Sequence, residues 1–210
     1  MTRATLTRWG GLALLAAGLL LAAEIVLHPD EANPSAVLMP IWGAVHAAMT
    51  LTIVLSLFGL AAMYAHQSER AGGLGLAGFI LLLAGSALFV PIALIEAFVV
   101  PALAAGTAGQ ALLDPAGPLF GGPLGLYFLL TGALFALGSL ITAVATLRAE
   151  VLPRLSGVLF VGGALLAFAP PLPHLAGTIG GLLLGLGYAW CGYAIWAAPR
   201  QPAVQPRAAG

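Results

Sequence analysis

Glu24 and His28 stand four residues apart in LAAEIVLHPDE (residues 21–31), and His46 and Glu96 follow in equally apolar surroundings. Carboxylate oxygens and imidazole nitrogens together suit zinc, iron or copper, whereas calcium and magnesium favour oxygen alone. Glu and His side chains projecting inward from several helices of a bundle form metal sites of this kind. The expectation is a pocket of Glu24, His28, His46 and Glu96 that holds a transition metal for redox or hydrolytic chemistry. In a hydrolytic version, His28, His46 and one glutamate are ligands, and the other glutamate is the general base toward bound water.

The motif itself is sparse. Glu24 and His28 make a single i,i+4 pair, and the chain has no HExxH, no ExxH and no CxxC. Haem held by His28, His46 or His174 ranks below a metal ion, because sequence alone places no two histidines at equal depth on facing helices. Each residue also has a plainer role. Glu24 and His28 could pair with each other and with water. Trp42, His46 and Thr50 form an i, i+4, i+8 stripe that could be a hydrogen-bonded packing seam. Glu96 could accept bonds from backbone frayed near Pro91 and Pro101. His66, in YAHQSER, reads as an interfacial residue, His174 as a loop residue, and Asp30, Glu31 and Asp114 as solvated loop acids.

The elements that position these residues follow from composition. The 210 residues are 61% hydrophobic and 7% charged, where soluble domains carry about 25% charge. The chain is therefore an integral membrane protein, and its partner is the lipid bilayer. A carboxylate in hydrocarbon costs roughly 2.5 kcal/mol or more, so Glu24 needs a cause. Seven acids balance seven arginines, which gives no attraction to nucleic acid. The absence of lysine excludes a retinal Schiff base and a phosphate-gripping P-loop. Gly73, Gly75 and Gly78 fit G-x-G-x-x-G, with Glu96 beyond, but no strand precedes them, and no nucleotide partner is expected. The single Cys191 reads as a small buried packing residue.

Six apolar stretches, near residues 9–28, 40–65, 73–100, 123–147, 154–170 and 175–197, predict an all-α bundle of six transmembrane helices in one domain, residues 1–199. The fifth is shortest, fenced by Pro153 and by Pro170, Pro171 and Pro173. Residues 200–210, RQPAVQPRAAG, read as a disordered tail. Arg3, Arg8, Arg70, Arg148, Arg154, Arg200 and Arg207 all fall on one side of this topology. By the positive-inside rule that side is cytoplasmic, with both termini inside. Glu24, His28, His46, Glu96 and His174 then lie in the outer half, as a polar layer rather than a proton wire across the bilayer. A competing reading treats residues 1–23 as a cleavable signal peptide, although the apolar run continues through Leu27.

Residues 101–122, PALAAGTAGQALLDPAGPLFGG, are expected to cover the polar layer as an outer lid. Gly181 and Gly185 form a GxxxG pair suited to close helix packing, within the chain or as a homo-oligomer face on helix six. Residues 55–91 align weakly with 134–170, too weakly to support a transporter repeat. Two other functions stand beside the metal pocket: a small-solute or cation transporter or channel with a pH-sensitive outer site, and a non-catalytic membrane subunit or scaffold.

Overall fold

The computed structural model describes residues 2–30, 33, 35–114, 117–168 and 174–199, with backbone only for 167, 168 and 174. Glu31, Pro170, Pro171, Pro173 and the tail from Arg200 lie outside the described residues.

Helix α1 spans Arg3–Leu27. It starts before residue 9 because Thr2 caps it, the Thr5 amide donating to Thr2 Oγ1 at 3.2 Å. It ends where Pro29 forces the preceding residue out of helical geometry, and His28 is extended (φ −65°, ψ 124°). Helix α2 spans Pro40–Leu94, with Pro40 in the first turn, where a missing N–H removes no helical bond. A straight helix of this length would separate its ends by about 80 Å at 1.5 Å per residue. Yet Trp42 Nε1 donates to the carbonyl of Glu96 at 2.8 Å. The reversal is at Gly72, whose φ of 57° and ψ of −150° lie in a region essentially reserved for glycine. Two antiparallel limbs, 40–71 and 73–94, result, and Tyr64 stacks on Phe79 across them at 4.7 Å. The polar run HQSER therefore stays helical, contrary to the expected end near residue 65. Polarity moves a segment out of the membrane but does not break a helix.

Beyond the second limb a π-helical turn, Ile95–Val99, leads into α3 (Val100–Ala104) and α4 (Thr107–Leu112). Helices α5 (Pro123–Ala149), α6 (Arg154–Phe168) and α7 (His174–Ala197) complete the chain. The stretch 101–122 thus carries two short helices. Val100 and Ala104 are buried, with α3 against the 3₁₀ turn Ala36–Leu38, while α4 is largely exposed. No strand occurs among the described residues. Arg3–Leu27, Pro40–Ala104, Pro123–Ala149 and Leu175–Ala197 are long and apolar enough to cross a membrane, and Arg154–Leu166 is a shorter apolar helix. The fold is all-α and suited to a membrane.

Helix α1 packs on α7 and on the first limb of α2, while α5 packs chiefly on α2 and α6 chiefly on α7. Lipid tails are as apolar as leucine, so these contacts rest on close van der Waals fit rather than on escape from water. Gly18 of α1 faces Gly185 of α7. A Cβ on Gly18 would collide with the Ala189 amide nitrogen and the Gly185 carbonyl, and a Cβ on Gly185 would lie 2.7 Å from the Gly18 oxygen. Gly181 meets Ile25 in the same interface. The GxxxG face therefore packs within the chain. Leu14, Leu60, Met63, Leu82, Phe160 and Ile195 fill the core.

Candidate functional site

One face of the first α2 limb carries Trp42, His46 and Thr50. Thr50 Oγ1 donates to the His46 carbonyl at 3.2 Å, and His46 Nδ1 donates to the Trp42 carbonyl at 2.9 Å. The Trp42 and His46 rings lie 4.5 Å apart. The hydrogen-bonded seam legible as an i,i+4 stripe is present, and it fixes the imidazole.

Trp42 is anchored by the π-helical turn that follows the second limb of α2. In the π-helical register the Val100 amide bonds to the Ile95 carbonyl, so residue 101 would serve the carbonyl of Glu96. Pro101 has no N–H to offer. The Trp42 indole supplies the donor instead. Glu96 thus contributes its backbone to the site, in a role its residue type does not reveal.

The first residue after α1, His28, completes the cluster. Its ring is 5.5 Å from Trp42 and 4.9 Å from His46, nearly edge-on to the latter at 69°. Its Nδ1 donates to the Pro29 carbonyl at 2.8 Å, and its Nε2 lies 3.3 Å from His46 Nε2. A carbonyl can only accept, so both Nδ1 atoms carry hydrogen. In the neutral rings both Nε2 atoms then present lone pairs to each other, an arrangement that a cation or a shared proton between them stabilises. Rings this close leave no gap for a porphyrin, so His28 and His46 do not clamp a haem between them.

Glu24 sits beneath this pair rather than in it. Side chains on a helix lean toward its N-terminus, so Glu24 is directed away from His28. It accepts from Thr52 Oγ1 at 3.2 Å, and Thr52 lies six residues, about 9 Å, along α2 from His46. Glu24 is only 3% exposed, and its Oε1 has no hydrogen-bond partner. The Glu24–Thr52 pairing escaped the sequence reading, although counting depth down the antiparallel α1 and α2 from His28 and His46 puts the two residues near the same level.

The structure therefore joins His28 with His46, sets Glu24 one layer lower, and brings the Glu96 backbone carbonyl to the Trp42 indole. Among the described residues no group of three or more His, Cys, Asp or Glu is close enough to hold a metal ion. Asp30 and Asp114 are exposed in connections, His66 is half-buried at the arginine-bearing end, and His174 opens α7. Gly73, Gly75 and Gly78 are helical, with Gly78 packed on Thr142. Comparison with family models, curated proteins and solved structures finds no match for this chain.

Proposed function

We propose that this chain is a six-crossing membrane protein, with both termini on the arginine-bearing cytoplasmic side, whose His28–His46 pair binds a transition-metal ion reached from the outer side. The observation that carries the reading is the 3.3 Å between the two Nε2 atoms, each on a ring whose Nδ1 is engaged by a backbone carbonyl. Two nitrogens bound tetrahedrally at about 2.0–2.1 Å stand roughly 3.3–3.4 Å apart, the edge of the coordination tetrahedron. Metal-bound histidines also donate their second ring N–H to a carbonyl or carboxylate, which fixes tautomer and orientation.

Two protein ligands leave the remaining coordination positions to water or substrate. Glu24, in the last turn of α1 and bonded to Thr52, lies one layer below the pair and is the carboxylate that would tune the charge beneath it. Support for six crossings comes from the Gly72 reversal, which divides the longest apolar segment into two limbs, and from α6 seated against α7. At 15 residues α6 is about 22 Å long, so it crosses only with local thinning of a ~30 Å core.

Metal content decides between readings. Purified protein equilibrated with Zn²⁺, Cu²⁺ or Fe²⁺ and desalted should retain about one ion of at least one metal per chain, and His28→Ala with His46→Ala should abolish retention. Absence of all three metals from the unaltered protein overturns the proposal. The same geometry supports one rival, because a proton can replace the metal between the Nε2 atoms and make the pair the pH-sensitive site of a cation transporter. That reading predicts proton-coupled flux in proteoliposomes that is lost in Glu24→Gln and unaffected by chelators.

A further inference from the structure

At the opposite end of the bundle from the histidine pair, the first turns of α1, the end of the first α2 limb and the end of α7 enclose a cavity of about 430 Å³. This is within the range of small-molecule sites. Its wall carries Arg3, Arg8, Arg70, His66 and Thr7, with Glu69 as the single acid among the described residues. Three of the chain's seven arginines thus line one cavity. Arg8 is held in place because its Nε donates to the Trp196 carbonyl near the C-terminus of α7 at 3.1 Å.

Arg8 also lines a second cavity of about 420 Å³, whose other walls include Trp9, Leu12 and Trp196. Trp9 and Trp196 are exposed, in the manner of aromatic side chains at the level of lipid headgroups. A cationic cavity therefore adjoins, through a shared arginine, an apolar and aromatic groove on the outside of the bundle. A soluble anion would use only the first, whereas a phospholipid would use both, its phosphate on the arginines and its glycerol and upper acyl carbons along Trp9 and Leu12. Basic pockets between helices at the cytoplasmic side of a membrane suit such headgroups.

We infer that this end of the bundle is a binding site for one anionic phospholipid, with Arg3, Arg8 and Arg70 on the phosphate and Trp9, Leu12 and Trp196 on the lipid body. The site is independent of the histidine pair and of any metal there.

The test measures the thermal midpoint of the full chain in a neutral detergent with added phosphatidylglycerol, phosphatidylcholine or sodium phosphate. Phosphatidylglycerol should raise the midpoint saturably, while phosphatidylcholine and millimolar phosphate should not. Equal stabilisation by phosphatidylcholine overturns anion recognition, and equal stabilisation by inorganic phosphate overturns a lipid in favour of a soluble anion. Arg3→Gln and Arg70→Gln, both at exposed positions, should each weaken the phosphatidylglycerol response about fivefold, as expected for one basic residue at an anionic headgroup. Arg154→Gln, at the same end but outside the cavity, should leave it unchanged. Equal losses in all three variants would mean a diffuse charge effect and would sink the site.

Discussion

His28 Nε2 and His46 Nε2 stand 3.3 Å apart, while both Nδ1 atoms are committed to the carbonyls of Pro29 and Trp42. One ring follows the last residue of α1 and the other lies in the second turn of α2, so the pair exists only because the connection from residue 28 to 40 returns the chain at the same depth. Each ring's orientation is set by a neighbouring backbone atom, which makes the gap between the Nε2 atoms a property of the fold rather than of side-chain chance.

On the proposed reading, removing either imidazole leaves a single nitrogen ligand. His28→Ala and His46→Ala should each lower metal affinity at least tenfold, and the double variant should lose little more than either single one, because the two act as one unit. Competition against a chromophoric chelator reads all three.

Metal retention should also fall on acidification. Both Nε2 atoms must be free of protons to ligate, so binding releases protons and lowering the pH drives the ion off. Equilibrium dialysis across mildly acidic to neutral pH should show affinity rising with pH. A flat profile would mean that ligands other than these histidines hold the ion.

Thr52→Val keeps the side-chain shape and removes the one donor among the described residues that reaches Glu24. The carboxyl then has no protein partner at either oxygen, and the loss should be about 1 kcal/mol, the scale of hydrogen bonds between membrane helices. Thr52→Ser should recover most of it. Thermal midpoints in one detergent compare the three proteins.

Gly18→Ala places a methyl group against the Ala189 amide and the Gly185 carbonyl, backbone atoms that cannot swing aside. Helices α1 and α7 must then separate, at a cost of about 1–3 kcal/mol. Gly177→Ala, where a Cβ meets nothing within 4 Å, is the matched control and should be near neutral.

Helix α5 ends on Glu150 in the left-handed conformation (φ 53°, ψ 29°). A Cβ there costs roughly 1–2 kcal/mol, and glycine is the usual occupant of such a cap. Glu150→Gly should therefore raise stability, by about 1 kcal/mol after the added freedom of the unfolded chain is deducted. A lowered midpoint would mean that the Glu150 side chain contributes more than its backbone conformation costs.

Composition and hydropathy alone determined that the chain is helical and suited to a membrane, since a sequence 61% hydrophobic and 7% charged must satisfy its backbone internally, and unbroken apolar stretches of about 20 residues do so as helices rather than as the short alternating strands of a barrel. Pro40 at a helix start and Pro29 after His28 marked boundaries that the structure keeps, because each acts through its own ring on adjacent backbone. The i,i+4 stripe of Trp42, His46 and Thr50 was equally legible, being a property of one helix. What linear pattern could not supply was the lateral arrangement. Depth counting put Glu24, His28, His46 and Glu96 in one layer, but which of them meet depends on helix rotation and on the direction each side chain leans. Tertiary packing joined His28 to His46, sent Glu24 down to Thr52, and used Glu96 through a carbonyl that Pro101 leaves without its helical donor. The expected cluster of four became a pair with a carboxylate beneath it. That outcome rests on backbone geometry at Gly72, Pro101 and the Gly18–Gly185 contact, where a missing side chain or a missing N–H decides how the helices face one another.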